Sequence, residues 1–150
     1  MSYKILILNG PNLNLLGTRE PEVYGSDTLE DLIKPLIAMG EERSIEIRHA
    51  QHNSEGDLID RLHEARDWAD GVVFNPGAYT HYSIALRDAI AAIETPVIET
   101  HLSNVHSREE FRHRSVLTGV CLGVVAGFGG VSYRIALDGL IAHLEIEGLG

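Results

Sequence analysis

The chain has a single cysteine and only two lysines among its 150 residues. One thiol cannot close an internal disulfide, which fits a reducing cytoplasm. That thiol, Cys121, lies among Val120, Leu122, Val124 and Val125, so it is expected to be a small buried hydrophobe rather than a nucleophile. Neither Lys4, ahead of an apolar run, nor Lys34, inside a helical pattern, stands at a strand exit, which argues against Schiff-base catalysis. Twelve basic against 22 acidic residues leave a formal charge of -10, the wrong sign for a nucleic-acid surface. An anionic ligand must therefore be held by local arginines and backbone N–H groups against the global field. No apolar run approaches the ~18 residues of a membrane span. Met1-Ser2-Tyr3-Lys4 leads directly into a strand pattern, without a signal-peptide layout. Repeats, linkers and low-complexity tracts are also missing, so residues 1–150 are expected to form one domain.

What is present alternates. Ile5–Leu8, Val72–Phe74 and Val120–Ala126 are continuous apolar runs, as expected for strands covered on both faces. Val97-Ile98 after Pro96 is a shorter run of the same kind, and Ile45-Glu46-Ile47 alternates like an edge strand. Between them lie helical stripes. Leu29, Leu32, Ile33, Leu36 and Ile37 form the first, with Asp27 and Glu30 spaced as a capping box and a kink or an interruption expected at Pro35. Leu58, Ile59, Leu62 and Ala65 follow Ser54, an expected N-cap. Ala85, Ala89, Ile90 and Ile93 make a third stripe, and Tyr133, Leu137, Leu140, Ile141 and Leu144 the last. This pattern predicts an α/β, flavodoxin-like three-layer sandwich: a five-stranded parallel sheet of order 2-1-3-4-5 with helices on both faces. Its ligand crevice lies beyond the carboxyl ends of the strands, at the switch point between strands one and three.

Polar residues concentrate at three strand exits that this order makes neighbours. The first is followed by a loop of more than a dozen residues carrying Asn9, Asn12, Arg19 and Tyr24, with Gly17 and Gly25 as hinge candidates. The third runs into Asn75-Pro76-Gly77-Ala78-Tyr79-Thr80-His81, and the fourth into Glu99-Thr100-His101-Leu102-Ser103-Asn104, with Arg108 and Arg112 beyond. Glu99 and His101 are two apart and face the same side of a strand. A carboxylate there fixes the imidazole tautomer and favours its protonated form, which suits a general acid, although a plain ion pair has the same spacing. Tyrosine ionises near ~10, so Tyr24 could act as a base near neutral pH only beside a cation such as Arg19. His81 and Asn75 read equally well as satisfied loop residues. His81, Glu99, His101 and His106 could in principle bind a metal, but no zincin-type helix motif accompanies them. The first loop offers prolines and leucines where a phosphate cradle needs Gly, Ser and Thr.

Three long segments together resemble the type II 3-dehydroquinate dehydratases. Asn9–Gly25 is similar to the family's N-G-P-N-L-N-L-L-G-x-R-E-P-x-x-Y-G, Asn75–Ile90 to N-P-G-A-Y-T-H-x-S-x-A-L-R-D-A, and Glu99–Ser115 to E-x-H-x-S-N-x-x-x-R-E-x-F-R-x-x-S. Tyr82 stands where a small hydroxyl residue is expected, Ser132 where glycine is common, and Thr100 where an aliphatic residue is usual. The resemblance implies a catalytic domain that dehydrates 3-dehydroquinate to 3-dehydroshikimate, the third step of the shikimate pathway. The reaction is an anti elimination through an enolate, with no cofactor and no metal. It implies Tyr24 as the base, Arg19 as the cation that activates it, and Asn12 as holder of a water at the enolate oxygen. His101, oriented by Glu99, would protonate the departing hydroxyl. Leu102 and Ser103 would take the substrate carboxylate, with Asn75, His81 and Arg112 on the ring and Arg108 as a lid partner. Asp88 would serve a neighbouring subunit's cleft in trimers assembled into a homododecamer. A flavodoxin-like nucleotide- or phosphate-binding module, or a histidine-based metal enzyme, are the competing readings.

Overall fold

In the computed structural model the described residues are 2–18 and 20–149, with Tyr24 and Leu149 described by their backbone alone. Five strands form one parallel sheet: β1 (Lys4–Asn9), β2 (Glu46–Gln51), β3 (Gly71–Asn75), β4 (Val97–His101) and β5 (Gly123–Ala126). Their order is β2-β1-β3-β4-β5, as the alternation of runs and stripes predicts. The chain leaves β1 through a short 3-10 turn (Leu13–Leu15) and the one-turn helix α1 (Pro21–Tyr24). Then follow α2 (Leu29–Glu42), α3 (Glu55–Trp68), α4 (Ile84–Ile93) and α5 (Val131–Leu149).

Strand alternation sorts the core into two halves. Ile5, Ile7, Val73 and Ile98 point to one face and meet Ile33 and Leu36 of α2 and Leu137 and Leu140 of α5. Leu6, Leu8, Val72, Phe74 and Val97 point to the other and meet Leu58 and Leu62 of α3 and Leu86 and Ile90 of α4. Every residue of β3 and β4 is buried, the signature of central strands covered on both sides.

Local expectations need four corrections. The capping box on α2 is Thr28 with Asp31, one residue later than Asp27 with Glu30. Thr28 Oγ1 accepts from the Asp31 N–H at 3.1 Å and Asp31 Oδ2 from the Thr28 N–H at 3.0 Å. Helix α2 is not interrupted at Pro35 but continues through it to Glu42, with Ile33 and Leu36 on either side buried against the sheet. The run Val120–Ala126 is not all strand, because Thr118–Val120 makes a 3-10 turn and pairing begins at Gly123. On α4 the buried stripe includes Leu86, while Ala85 is exposed.

Candidate active site

The carboxyl ends of β1, β3 and β4 open into a cleft of about 250 Å³. Its lining includes Pro11 and Asn12 after β1, Asn75, Gly77 and His81 after β3, and His101, Leu102, Ser103, Arg108 and Arg112 at and after β4. Two glycines let the first two loops nest. The Gly10 N–H donates to the Asn75 carbonyl at 2.8 Å, and a Cβ on Gly10 would lie 2.6 Å from the Pro76 carbonyl oxygen. Gly77 turns with φ 61°, and a Cβ there would press within 3.2 Å of Pro11. The loop after β1 is moored by Gln51 and Asn53 at the end of β2. Gln51 Nε2 donates to the Gly10 carbonyl at 3.1 Å, and Asn53 Oδ1 accepts the Asn12 N–H at 3.1 Å. Asn12 itself is left-handed, with φ 69°.

Glu99 and His101 share one side of β4, as their spacing requires, with His101 in the cleft wall and Glu99 buried beside it. His101 Nε2 lies 2.6 Å from Glu99 Oε2. The carboxylate accepts three more bonds: Thr80 Oγ1 at 2.7 Å on Oε2, and Ser115 Oγ at 3.0 Å and Thr118 Oγ1 at 2.6 Å on Oε1. Burial alone would raise the Glu99 carboxyl, but the His101 bond and charge, with the Thr118 and Thr80 hydroxyls, outweigh it and hold the group at about 2. Glu99 is therefore an anion throughout the physiological range, and an anion only accepts. It follows that His101 Nε2 carries a hydrogen, and any proton His101 gives to a ligand leaves from Nδ1.

His81 sits half-buried across the cleft and its Nδ1 donates to the Arg114 carbonyl at 2.8 Å. Burial is the main reason its ring is pushed below the ordinary histidine range, with the charges of His101 and Arg112 adding to it. The neutral ring therefore offers Nε2 to the cleft as an acceptor. Arg112 bonds both Glu109 oxygens through Nε, at 3.2 and 3.3 Å, and stacks on Phe111 at 5.0 Å. Arg108 reaches Ser103 Oγ at 3.4 Å and Glu109 at 3.8 Å. Glu109 thus gathers two guanidinium groups at the cleft mouth, a local positive patch on an acidic chain.

Most residues singled out from the sequence meet here: Asn12, Asn75, His81, Glu99, His101, Leu102, Ser103, Arg108 and Arg112. Arg19 lies outside the described residues. Tyr24 is the last residue of α1, and its side chain lies outside what is described. Asp88 is exposed on α4 and is not part of its own chain's cleft lining. Thr80, Ser115 and Thr118, which complete the Glu99 cage, escaped sequence reasoning. The first two fall inside the recognised segments but carry no spacing signal, because their partner lies on another element. Among the described residues no three His, Cys, Asp or Glu side chains converge to hold a metal ion. Cys121 is half-buried, and burial pushes its thiol up to about 12, which keeps it unreactive. Of the three departures from the family pattern, Ser132 is buried and accepts the Phe128 N–H at 3.1 Å, while Tyr82 is exposed beside Tyr79. Thr100 is buried, and its hydroxyl has no partner among the described residues.

A carboxylate-backed imidazole sharing a cleft with two arginines, at the switch point of a doubly wound sheet, suits acid–base chemistry on a flavodoxin-like α/β fold. The sequence model for the family described as dehydroquinase class II matches residues 3–141, and the chain belongs to that family. It is 56% identical over 142 residues to a 3-dehydroquinate dehydratase of Carboxydothermus hydrogenoformans, covering 95% of this chain and 92% of that protein. It is 60% identical over 134 residues to one of Bacillus licheniformis, covering 89% and 92%. The crystal structure of a type II dehydroquinase from Butyrivibrio crossotus superposes with a TM-score of 0.91 at 48% identity, covering 93% of this chain and 97% of that one.

Proposed function

We propose that this protein is a type II hydro-lyase that converts 3-dehydroquinate to 3-dehydroshikimate and water, the third step of the shikimate pathway. The observation that carries the reading is the Glu99–His101 pair, 2.6 Å apart, whose imidazole stands in the wall of the cleft formed by residues of the family's three segments. The nucleotide- or phosphate-binding alternative is not favoured, since nothing in the first loop is a Gly- and Ser-rich cradle.

The substrate is a β-hydroxy ketone with a carboxylate, and each of its groups has a counterpart. Arg112, the N–H groups of Leu102 and Ser103 and the Ser103 hydroxyl receive the carboxylate and its neighbourhood. Asn75 and the neutral His81 hold ring hydroxyls. Tyr24, as phenolate beside Arg19, takes the proton next to the ketone and becomes a neutral phenol, and the electrons of the broken C–H bond form the enolate. A water held by Asn12 hydrogen-bonds the enolate oxygen as charge builds there. The enolate then collapses, the C–O bond of the β-hydroxyl breaks, and His101 Nδ1 gives its proton so that water leaves. His101 ends neutral, still bonded through Nε2 to Glu99, whose fixed charge offset the imidazolium beforehand.

The same reading treats residues 1–150 as one catalytic unit in a homododecamer of trimers, in which exposed Asp88 reaches a neighbouring cleft. Its place is the cytoplasm, and no helix of the described residues is long and apolar enough to cross a membrane. Purified protein mixed with 3-dehydroquinate should generate the ultraviolet absorbance of a conjugated enone, in the presence of chelator as in its absence. No absorbance change at micromolar enzyme would overturn the assignment, and loss on chelation would favour the metal-dependent alternative.

A further inference from the structure

Asn9 and Asn75 end neighbouring strands in register, and neither is more than 3% exposed. Both carboxamides turn toward the first complete turn of α5 and share one group there, the hydroxyl of Tyr133. That side chain is fully buried, in the core half formed by α2 and α5. Asn75 Nδ2 donates to Tyr133 Oη at 3.1 Å, and Tyr133 Oη donates in a short bond to Asn9 Oδ1. Asn9 Nδ2 continues to His49 Nε2 at 3.0 Å, and at the other end Asn75 Oδ1 accepts the Gly77 N–H at 3.1 Å.

The chain has one permitted direction. Gly77 can only donate, so Asn75 must turn its oxygen to Gly77 and its NH2 to Tyr133. The phenol must then send its single hydrogen on to Asn9, and Asn9 its NH2 to His49. Rotating the Asn75 carboxamide would set NH2 against the Gly77 N–H and leave two acceptors facing at Tyr133. Burial raises the Tyr133 phenol well above its ordinary range, so it stays a neutral donor, and burial lowers His49, so its Nε2 stays an acceptor. Such a buried network is satisfied only as a whole.

Asn75 is also a wall of the cleft, and this chain uses its oxygen and one of its two Nδ2 hydrogens. We infer that Tyr133, acting with Asn9, is a positioning residue for substrate binding: it locks the Asn75 carboxamide so that the second Nδ2 hydrogen is always offered to a ring hydroxyl oxygen. The inference rests on the dehydratase reading and deepens it, because it adds a binding determinant that never touches the substrate.

The test is steady-state turnover of 3-dehydroquinate by the full chain and its variants. An inactive wild type would refute the dehydratase reading itself, whatever the variants do. With an active wild type, Tyr133→Phe should raise KM about tenfold, the scale of one lost charge-free hydrogen bond, and leave kcat within about threefold. In an Asn75→Ala background the same substitution should change KM by less than about twofold, since its route to the substrate is gone. An unchanged KM in Tyr133→Phe, or an equal rise in both backgrounds, overturns the inference and leaves a core residue only. If Tyr133→Phe does not fold, Asn9→Ala removes the acceptor of the phenol and must raise KM in the same way. Independently of any variant, a crystal structure of the unaltered protein fine enough to tell amide nitrogen from oxygen must show Asn75 Nδ2 toward Tyr133. The opposite orientation refutes the relay.

Discussion

The wall of the cleft built on β4 and the loop that leaves β1 are held by opposite means. On β4, Glu99, Thr100 and His101 are at most 8% exposed, and the carboxylate of Glu99 accepts from four side chains drawn from three segments. From Asn12 to Thr28, only Leu13 and Leu16 are buried among the described side chains. That loop is fixed at its root, through Gly10 and Asn12, and passes through left-handed residues at Asn12, Gly17, Glu20 and Gly25. On the proposed reading, the proton donor on a central strand has its geometry set by the fold, whereas the base on the loop after β1 has its geometry set by whatever that loop closes upon.

The contrast is broken most severely at the two groups proposed to carry the chemistry. Tyr24→Phe should lower kcat on the order of 10³-fold while substrate still binds, and His101→Ala should cost a comparable amount in turnover. Near-normal kcat in Tyr24→Phe would remove the loop from the chemistry. Next comes Glu99→Ala, which strands the His101 Nε2–H and three hydroxyls without an acceptor. It should cost at least about 3 kcal/mol of stability in urea unfolding, more than His101→Ala does, yet reduce turnover less than His101→Ala. The reverse order in either measurement would dissolve the distinction between a scaffold carboxylate and a reacting imidazole.

Acid sharpens the same point. Because Glu99 is held at about 2 against an ordinary 4.5, its contribution to stability is complete above about 4.5 and is lost as pH falls toward 2. Over that interval the wild type should lose about 3 kcal/mol that Glu99→Gln does not. Parallel pH curves for the two proteins would show the cage to be energetically silent. The smallest expected effect is at Thr100, on the opposite side of β4. Thr100→Val removes a buried, unpartnered hydroxyl at constant shape and should raise stability by about 1 kcal/mol with activity unchanged. A lower melting temperature would mean that the hydroxyl is bonded after all.

Legibility in the sequence follows the same division. Strand order and the convergence of three strand exits were readable because apolar runs and helical stripes alternate along the chain, with an alternating run marking one edge. The Glu99–His101 contact was readable because a strand brings alternate residues to one side. What escaped were partners that no local period connects: Thr80, Ser115 and Thr118 around Glu99, and Tyr133, which looks like any other member of the α5 stripe. The start of β5 was misplaced because Val120–Leu122 is apolar whether it pairs or turns. The cap of α2 slipped by one residue because Asp27 with Glu30 and Thr28 with Asp31 have the same spacing. Asp88 reads as a solvated helix residue, and within one chain it is exposed on α4.

The Glu99 cage also sets the order in which this chain could decay. A duplicated copy relieved of its reaction could replace His101 and lose one of the bonds on a carboxylate that retains three. Replacing Glu99 first would orphan donors from three segments at once, and the copy would be cleared as a folding failure before it could drift. Descendants that have abandoned the chemistry should therefore keep the acid longer than the imidazole it once served.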